Sequence, residues 1–137
     1  MNTLLLHIQI DFRSGVPIYI QISDQIRQFV VQGDLKPGSQ LPTVRQLATD
    51  LRVNFNTVAR AYRMLDEAGL ISTQHGRGTY VWENPPPGAT HQLRQRSLQE
   101  LTQDYLQQAR SLGYLPDEIV AAVEDQMKSW QDSAPMT

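Results

Sequence analysis

The 137-residue chain contains no cysteine, which excludes disulfide frameworks, thiol nucleophiles and cysteine-ligated zinc. It also lacks any apolar run approaching the ~20 residues that cross a bilayer. The apolar start, MNTLLLHIQIDF, is broken by His7, Gln9 and Asp11. That start has neither a basic n-region nor a small-residue cleavage site, so it does not read as a secretory signal. No membrane partner is expected, and the cytoplasm is the default location. Beyond Pro85 the only histidine is His91, so neither a metal nor any other cofactor is expected. Internal repeats are absent too. What is present is 40% hydrophobic and 19% charged residues, enough to bury a modest core without wholesale disorder.

The net charge of −2 conceals an uneven distribution. Between Lys36 and Arg77 six basic residues face three acids, whereas from Pro85 onward four basic residues face seven acids. A local positive field, not the chain average, steers a polyanion.

Pro85-Pro86-Pro87-Gly88 reads as a stiff spacer, because proline rings remove amide donors and resist helix and sheet. It divides the expected organisation into a domain over 1–84, a linker over 85–88 and a helical segment over 89–137. The first dozen residues alternate (Leu4, Leu6, Ile8, Ile10), the pattern of a short strand or extended arm. Pro17 then opens a helix at its favoured first-turn position, with Ile22, Ile26, Phe29 and Val30 on one apolar stripe and Gly33 as its end. Lys36-Pro37-Gly38 reads as a type II turn.

Thr43 and Gln46 have the spacing of a capping box, which starts a second helix burying Val44, Leu47, Ala48 and Leu51. After only Arg52-Val53, Asn54 is an N-cap for a third helix burying Val58, Ala61, Tyr62 and Leu65. Gly69 stops it. Two strands follow, Leu70–Thr73 and Thr79–Trp82, joined by the glycine-rich tip Gln74-His75-Gly76-Arg77-Gly78. The fold class expected is mostly α with a small β wing: a winged helix-turn-helix followed by a short two-helix segment.

Such a pair of helices sends the start of the second into a major groove while the first braces it across the backbone. The residues at that start are Asn54, Phe55, Asn56 and Thr57. Asn56 suits an adenine edge, Thr57 a phosphate or a thymine methyl, and Arg45 a phosphate or guanine. Phe55 is either a packing residue or a contact to a thymine methyl. Asn54 serves first as a cap. Arg60 and Arg63 are either phosphate contacts or solvated charges. His75 and Arg77, at the wing tip, are placed to enter the neighbouring minor groove or grip its phosphates. Gly76 serves the turn and could bring backbone close to DNA.

These motifs, in this order, resemble the N-terminal domain of the GntR family of bacterial transcription regulators. The resemblance runs over roughly residues 12 to 82, through Ser14–Tyr19, Lys36-Pro37-Gly38, Leu41–Ala48, Asn54–Val58, Glu67–Ile71 and Gly76–Val81. The asparagine-rich helix start and short tail are similar to the YtrA-like branch. It implies DNA contacts from Arg45, Asn56, Thr57, His75 and Gly76. It also marks three departures: Ala59 where many relatives carry arginine, Arg52 where the turn usually has glycine, and Phe55 where this branch usually has proline.

Beyond the prolines, Leu98, Leu101, Tyr105 and Leu112 recur at helical spacing. Pro116-Asp117 begins another helix, bearing Ile119, Val120, Val123, Met127 and Trp130. Two amphipathic helices cannot cover their own stripes, so a two-fold homodimer through this segment is expected, matching paired half-sites on double-stranded DNA. Within one subunit the segment cannot easily enclose a ligand pocket of roughly 300–1,000 Å³, so any ligand is expected between subunits or not at all; any effector is unidentified. No enzyme is expected: the Gly76-x-Gly78 loop joins strands instead of opening a helix, and His75 has no nucleophile or acid at motif spacing. The expectation is a DNA-binding repressor. The rival reading, a winged helix for protein or RNA contact, calls for apolar residues on the recognition face, where Asn56, Arg60 and Arg63 stand.

Overall fold

The computed structural model describes residues 7–74 and 78–133 and divides into two compact units, Met1–Leu98 and Gln99–Thr137. The first holds α1 (Ile18–Gln32), β1 (Gln40–Leu41), α2 (Val44–Leu51), α3 (Phe55–Glu67), β2 (Ile71–Gln74), β3 (Gly78–Val81) and the first turns of α4 (Ala89–Ser111). The second holds the remainder of α4 and α5 (Pro116–Ser133).

The described residues before α1, 7–17, form an arm, not a strand; of the expected alternation, Leu4 and Leu6 lie outside the described residues. Ile8 is buried, and two glutamines of α1 replace a neighbouring strand. The Gln25 side chain accepts from the Gln9 amide at 2.9 Å and donates to the Gln9 carbonyl at 2.7 Å. Gln21 treats Asp11 the same way, at 2.8 and 2.9 Å. The match is geometric. Four residues of helix rise about 6 Å, and two residues of extended chain span about 6.7 Å. Pro17 sits one position earlier than expected, as the cap of α1, where its carbonyl accepts from the Ile20 and Gln21 amides.

Leu41, Leu47, Val58, Leu65, Ile71 and Val81 are among the buried residues of a single core. Met64 is also buried, on a flank of α3 that the apolar stripe did not include. The sheet runs β1-β3-β2, antiparallel throughout. Its β1 strand was not expected: two residues between a turn and Pro42 are too few to show alternation. Gln40 pairs with Tyr80 and Leu41 with Thr79, which ties the approach to α2 onto the wing. The turn at Lys36 does form, with the Ser39 amide donating to the Lys36 carbonyl at 2.9 Å and Gly38 at φ +84°.

The first unit extends past the proline run, to Leu98, beyond the division expected at residue 84. The reason is packing. The ring of Pro86 lies on Gly69, where a Cβ would stand 2.7 Å from Pro86 Cδ and Cγ. Ala89 and Leu93 are buried in the same core, and Arg96 makes an ion pair with Glu67 at the end of α3.

The second unit is locally well specified. The Tyr114 amide donates to the Ala109 carbonyl and the Gly113 amide to the Arg110 carbonyl, the paired bonds of a Schellman closure. Pro116 takes the first position of α5, and the Glu118 carboxylate accepts from the Leu115 amide at 3.1 Å. Yet α5 has no buried residue. A groove of about 450 Å³, lined by Tyr105, Ala109, Leu112, Tyr114, Ile119 and Ala122, opens within this unit. The tight turn at Gly113 sets the two helix ends side by side and leaves an open cleft between them, not an enclosed pocket.

Between α2 and α3, Arg52 adopts φ +57°, ψ +45°, and among the described residues it is the one non-glycine with positive φ. The Val53 amide donates to the Ala48 carbonyl at 3.0 Å and the Arg52 amide to the Thr49 carbonyl at 3.2 Å, so the closure forms with arginine where glycine is favoured. A left-handed non-glycine residue carries roughly 1–2 kcal/mol of strain. We therefore expect Arg52→Gly to raise unfolding free energy by about 1 kcal/mol, read as a melting temperature a few degrees higher; an unchanged or lower melting temperature would show the strain to be absent.

Candidate nucleic-acid interface

The local sequence sets the start of α3. Asn54 caps it, accepting from the Asn56 amide at 2.7 Å. The capping box at α2 forms in full: the Gln46 amide donates to Thr43 Oγ1 at 3.0 Å and the Thr43 amide to Gln46 Oε1 at 2.9 Å. The two helices are joined through Arg52, Val53 and Asn54 alone, so their starts stay in fixed relation. Tyr62 locks that relation. From the middle of α3 its hydroxyl donates to the Pro42 carbonyl at 2.6 Å, immediately before the α2 cap. Burial pushes the Tyr62 phenol well above its ordinary range, so it remains a donor.

The structure brings most of the expected side chains to one surface. Arg45, Asn54, Phe55 and Asn56 are exposed around the start of α3, with Thr57 half-buried beside them. Asn56 uses only its backbone in the cap; among the described residues its side-chain amide has no intramolecular partner. That leaves both a donor and an acceptor for a base edge. Arg60 and Arg63 are exposed one and two turns along. Arg60 is not merely solvated: its guanidinium carbon stands 3.8 Å from the ring centroid of Tyr19 on α1. Helical periodicity within α3 could not reveal that partner, which comes from another element. His75, Gly76 and Arg77 lie outside the described residues. Gly78, at the base of that tip, has φ +107°, a backbone conformation that favours glycine.

The electrostatics of the two helices are polarised. Neither α2 nor α3 has an acid in its first turn, whereas α5 has Asp117 and Glu118 there. Acids at a helix start ordinarily stabilise it, but here they would repel phosphates. The acids of α3 stand at its far end, Asp66 and Glu67. Partial burial, then the charge of Glu67, raise the Asp66 carboxyl above its usual value.

The sequence pattern of the bacterial regulatory proteins of the gntR family matches residues 18–81, from α1 through β3. The chain is also similar to the HTH-type transcriptional regulator YhcF of Bacillus subtilis (strain 168). The two are 33% identical over 113 residues, covering 82% of this chain and 92% of that protein. The chain belongs to the GntR family of bacterial regulatory proteins. The HTH-type transcriptional repressor YtrA of the same organism is 52% identical over 77 residues, which cover 56% of this chain and 59% of YtrA. Among solved structures, YtrA from Sulfolobus acidocaldarius, a GntR-family transcription factor, is 41% identical with a TM-score of 0.54. That match covers 66% of this chain and 96% of the other. As a GntR-family winged helix-turn-helix protein, the chain is a DNA-binding transcriptional regulator.

Because Tyr62 holds the start of α2 against α3, Tyr62→Phe should leave the buried Pro42 carbonyl unpaired and cost about 1–3 kcal/mol. Chemical denaturation followed by circular dichroism would measure it, and a loss below a few tenths of that would show the hydrogen bond to be dispensable.

Proposed function

We propose that this regulator represses transcription by occupying a paired half-site operator as a homodimer, with α3 in the major groove of each half-site. Asn56 reads a base edge, Arg45 and Thr57 hold phosphate or base at the groove mouth, and Arg60 and Arg63 grip backbone. The wing tip His75-Gly76-Arg77 reaches the adjacent minor groove. The supporting observation is the α3 start, where an unspent asparagine amide lies beside cationic side chains and no first-turn acid. The same polarity disfavours the rival, a protein-docking face.

The dimer is carried by residues 89–137. In the second unit Leu112, Leu115, Val120, Val123, Met127 and Trp130 are exposed, Leu112 by 75% and Trp130 by 66%. On α5 Val120, Val123, Met127 and Trp130 recur at spacings of three and four, one helical stripe. Self-complementary apolar stripes are what an isologous interface uses.

Duplexes selected from a random pool supply the operator. Against the selected duplex, Asn56→Ala should lose about 1–3 kcal/mol of discrimination at one base pair per half-site, and Arg45→Ala should weaken binding without unfolding the protein. A selection profile that Asn56→Ala leaves unaltered would remove base reading from that residue. For the assembly, Val123→Asp should sediment as one chain at micromolar concentration where the unaltered protein sediments as two; two-chain sedimentation by both would move the interface elsewhere.

A further inference from the structure

Phe55 is the first residue of α3, a position that favours proline or a strong helix former. The residue is 48% exposed and lies outside the core cluster. Neither helix propensity nor burial accounts for an aromatic residue there. What the ring meets is Arg45. The guanidinium carbon of Arg45 stands 5.8 Å from the Phe55 ring centroid, inside the ~6 Å over which an aromatic face attracts a cation. Among the described residues, Arg45 has no other intramolecular partner. An unsupported arginine loses rotamer freedom when it is ordered on binding, and a side chain that orders it beforehand lowers that cost.

The geometry points to Phe55 as a positioning residue for Arg45: the ring is a platform that holds the guanidinium beside the start of α3, already aimed for DNA. Phe55 does not read a base itself. It acts through a contact between the first turns of α2 and α3, whose relation the short connection and the Tyr62 hydrogen bond keep constant. The assignment rests on the reading of Arg45 as a DNA contact.

A double-mutant cycle tests it, using fluorescence anisotropy on the duplex selected by the unaltered protein. Phe55→Leu should weaken binding about two- to five-fold when Arg45 is present and add nothing in an Arg45→Ala background. Phe55→Tyr and Phe55→Trp, which keep an aromatic face, should bind as the unaltered protein does. Thermal melting confirms that each variant folds. Equal weakening by Phe55→Leu in both backgrounds would overturn the proposal, since the ring would then touch DNA or stabilise α3 directly. So would no weakening when Arg45 is present. The Arg45→Ala arm stands separately: binding unchanged there would remove the Arg45 contact itself and the platform with it.

Discussion

The connection between α2 and α3 is the constraint on which the interface depends. Only Arg52, Val53 and Asn54 join the two helices, and each has a fixed task. Arg52 reverses the chain in the left-handed region, the Val53 amide closes α2 on Ala48, and Asn54 opens α3. A looser connection would let α3 rotate about its own axis. At 100° per residue, a slip of one position would turn Asn56 away and present a neighbour. The Tyr62 hydrogen bond to Pro42 resists the same rotation from the other side. Strain at Arg52 is tolerated because two backbone hydrogen bonds and the packing of both helices determine the turn.

Around that turn, local stability and DNA binding pull in opposite directions. Acids in the first turn would stabilise α2 and α3 through their dipoles, and α5 shows that this chain uses the device elsewhere. At the interface, side-chain caps satisfy the backbone donors instead. Thr43 with Gln46, and Asn54, do so without adding negative charge. The helix starts therefore keep a field that favours phosphate. Two arginines of this surface stand over aromatic rings, Arg45 over Phe55 and Arg60 over Tyr19, contacts that favour a cation and bring no negative charge of their own.

What could be read from the sequence was whatever is encoded within about four residues. The Thr43–Gln46 box, the Asn54 cap, the turn at Lys36 and the stripe from Val58 to Leu65 all have short-range signatures, and they placed the start of α3 correctly. Features that depend on distant partners were hidden. The β1 strand exists only because Tyr80 and Thr79 pair with it. The arm is held by two glutamines of α1 that carry no pattern of their own. Pro85–Pro87 looked like a spacer because proline breaks regular structure, yet the Pro86 ring packs on Gly69 and the chain re-enters the core at Ala89 and Leu93. Periodicity within α3 sets Arg60 on the exposed side, where it is found, but could not show its contact with Tyr19, which belongs to another helix.

The second unit separates local specification from burial. Its turn, its proline start and its Glu118 hydrogen bond determine where α4 stops and α5 begins, so its shape needs no partner to be encoded. Its stability is another matter. Most helix stability in proteins comes from packing an amphipathic face, and α5, with 18 residues and none buried, has little tertiary packing to support it. Stripes that remain exposed in one chain tie the order of these helices to whatever covers them. If that cover is a second copy, folding of the tail and assembly become one equilibrium, and the melting of the tail depends on protein concentration. A regulator built this way holds its recognition helices as a pair only above a threshold abundance. The same linkage lets anything that competes for the α5 stripe loosen its grip on paired half-sites without touching the DNA-facing surface.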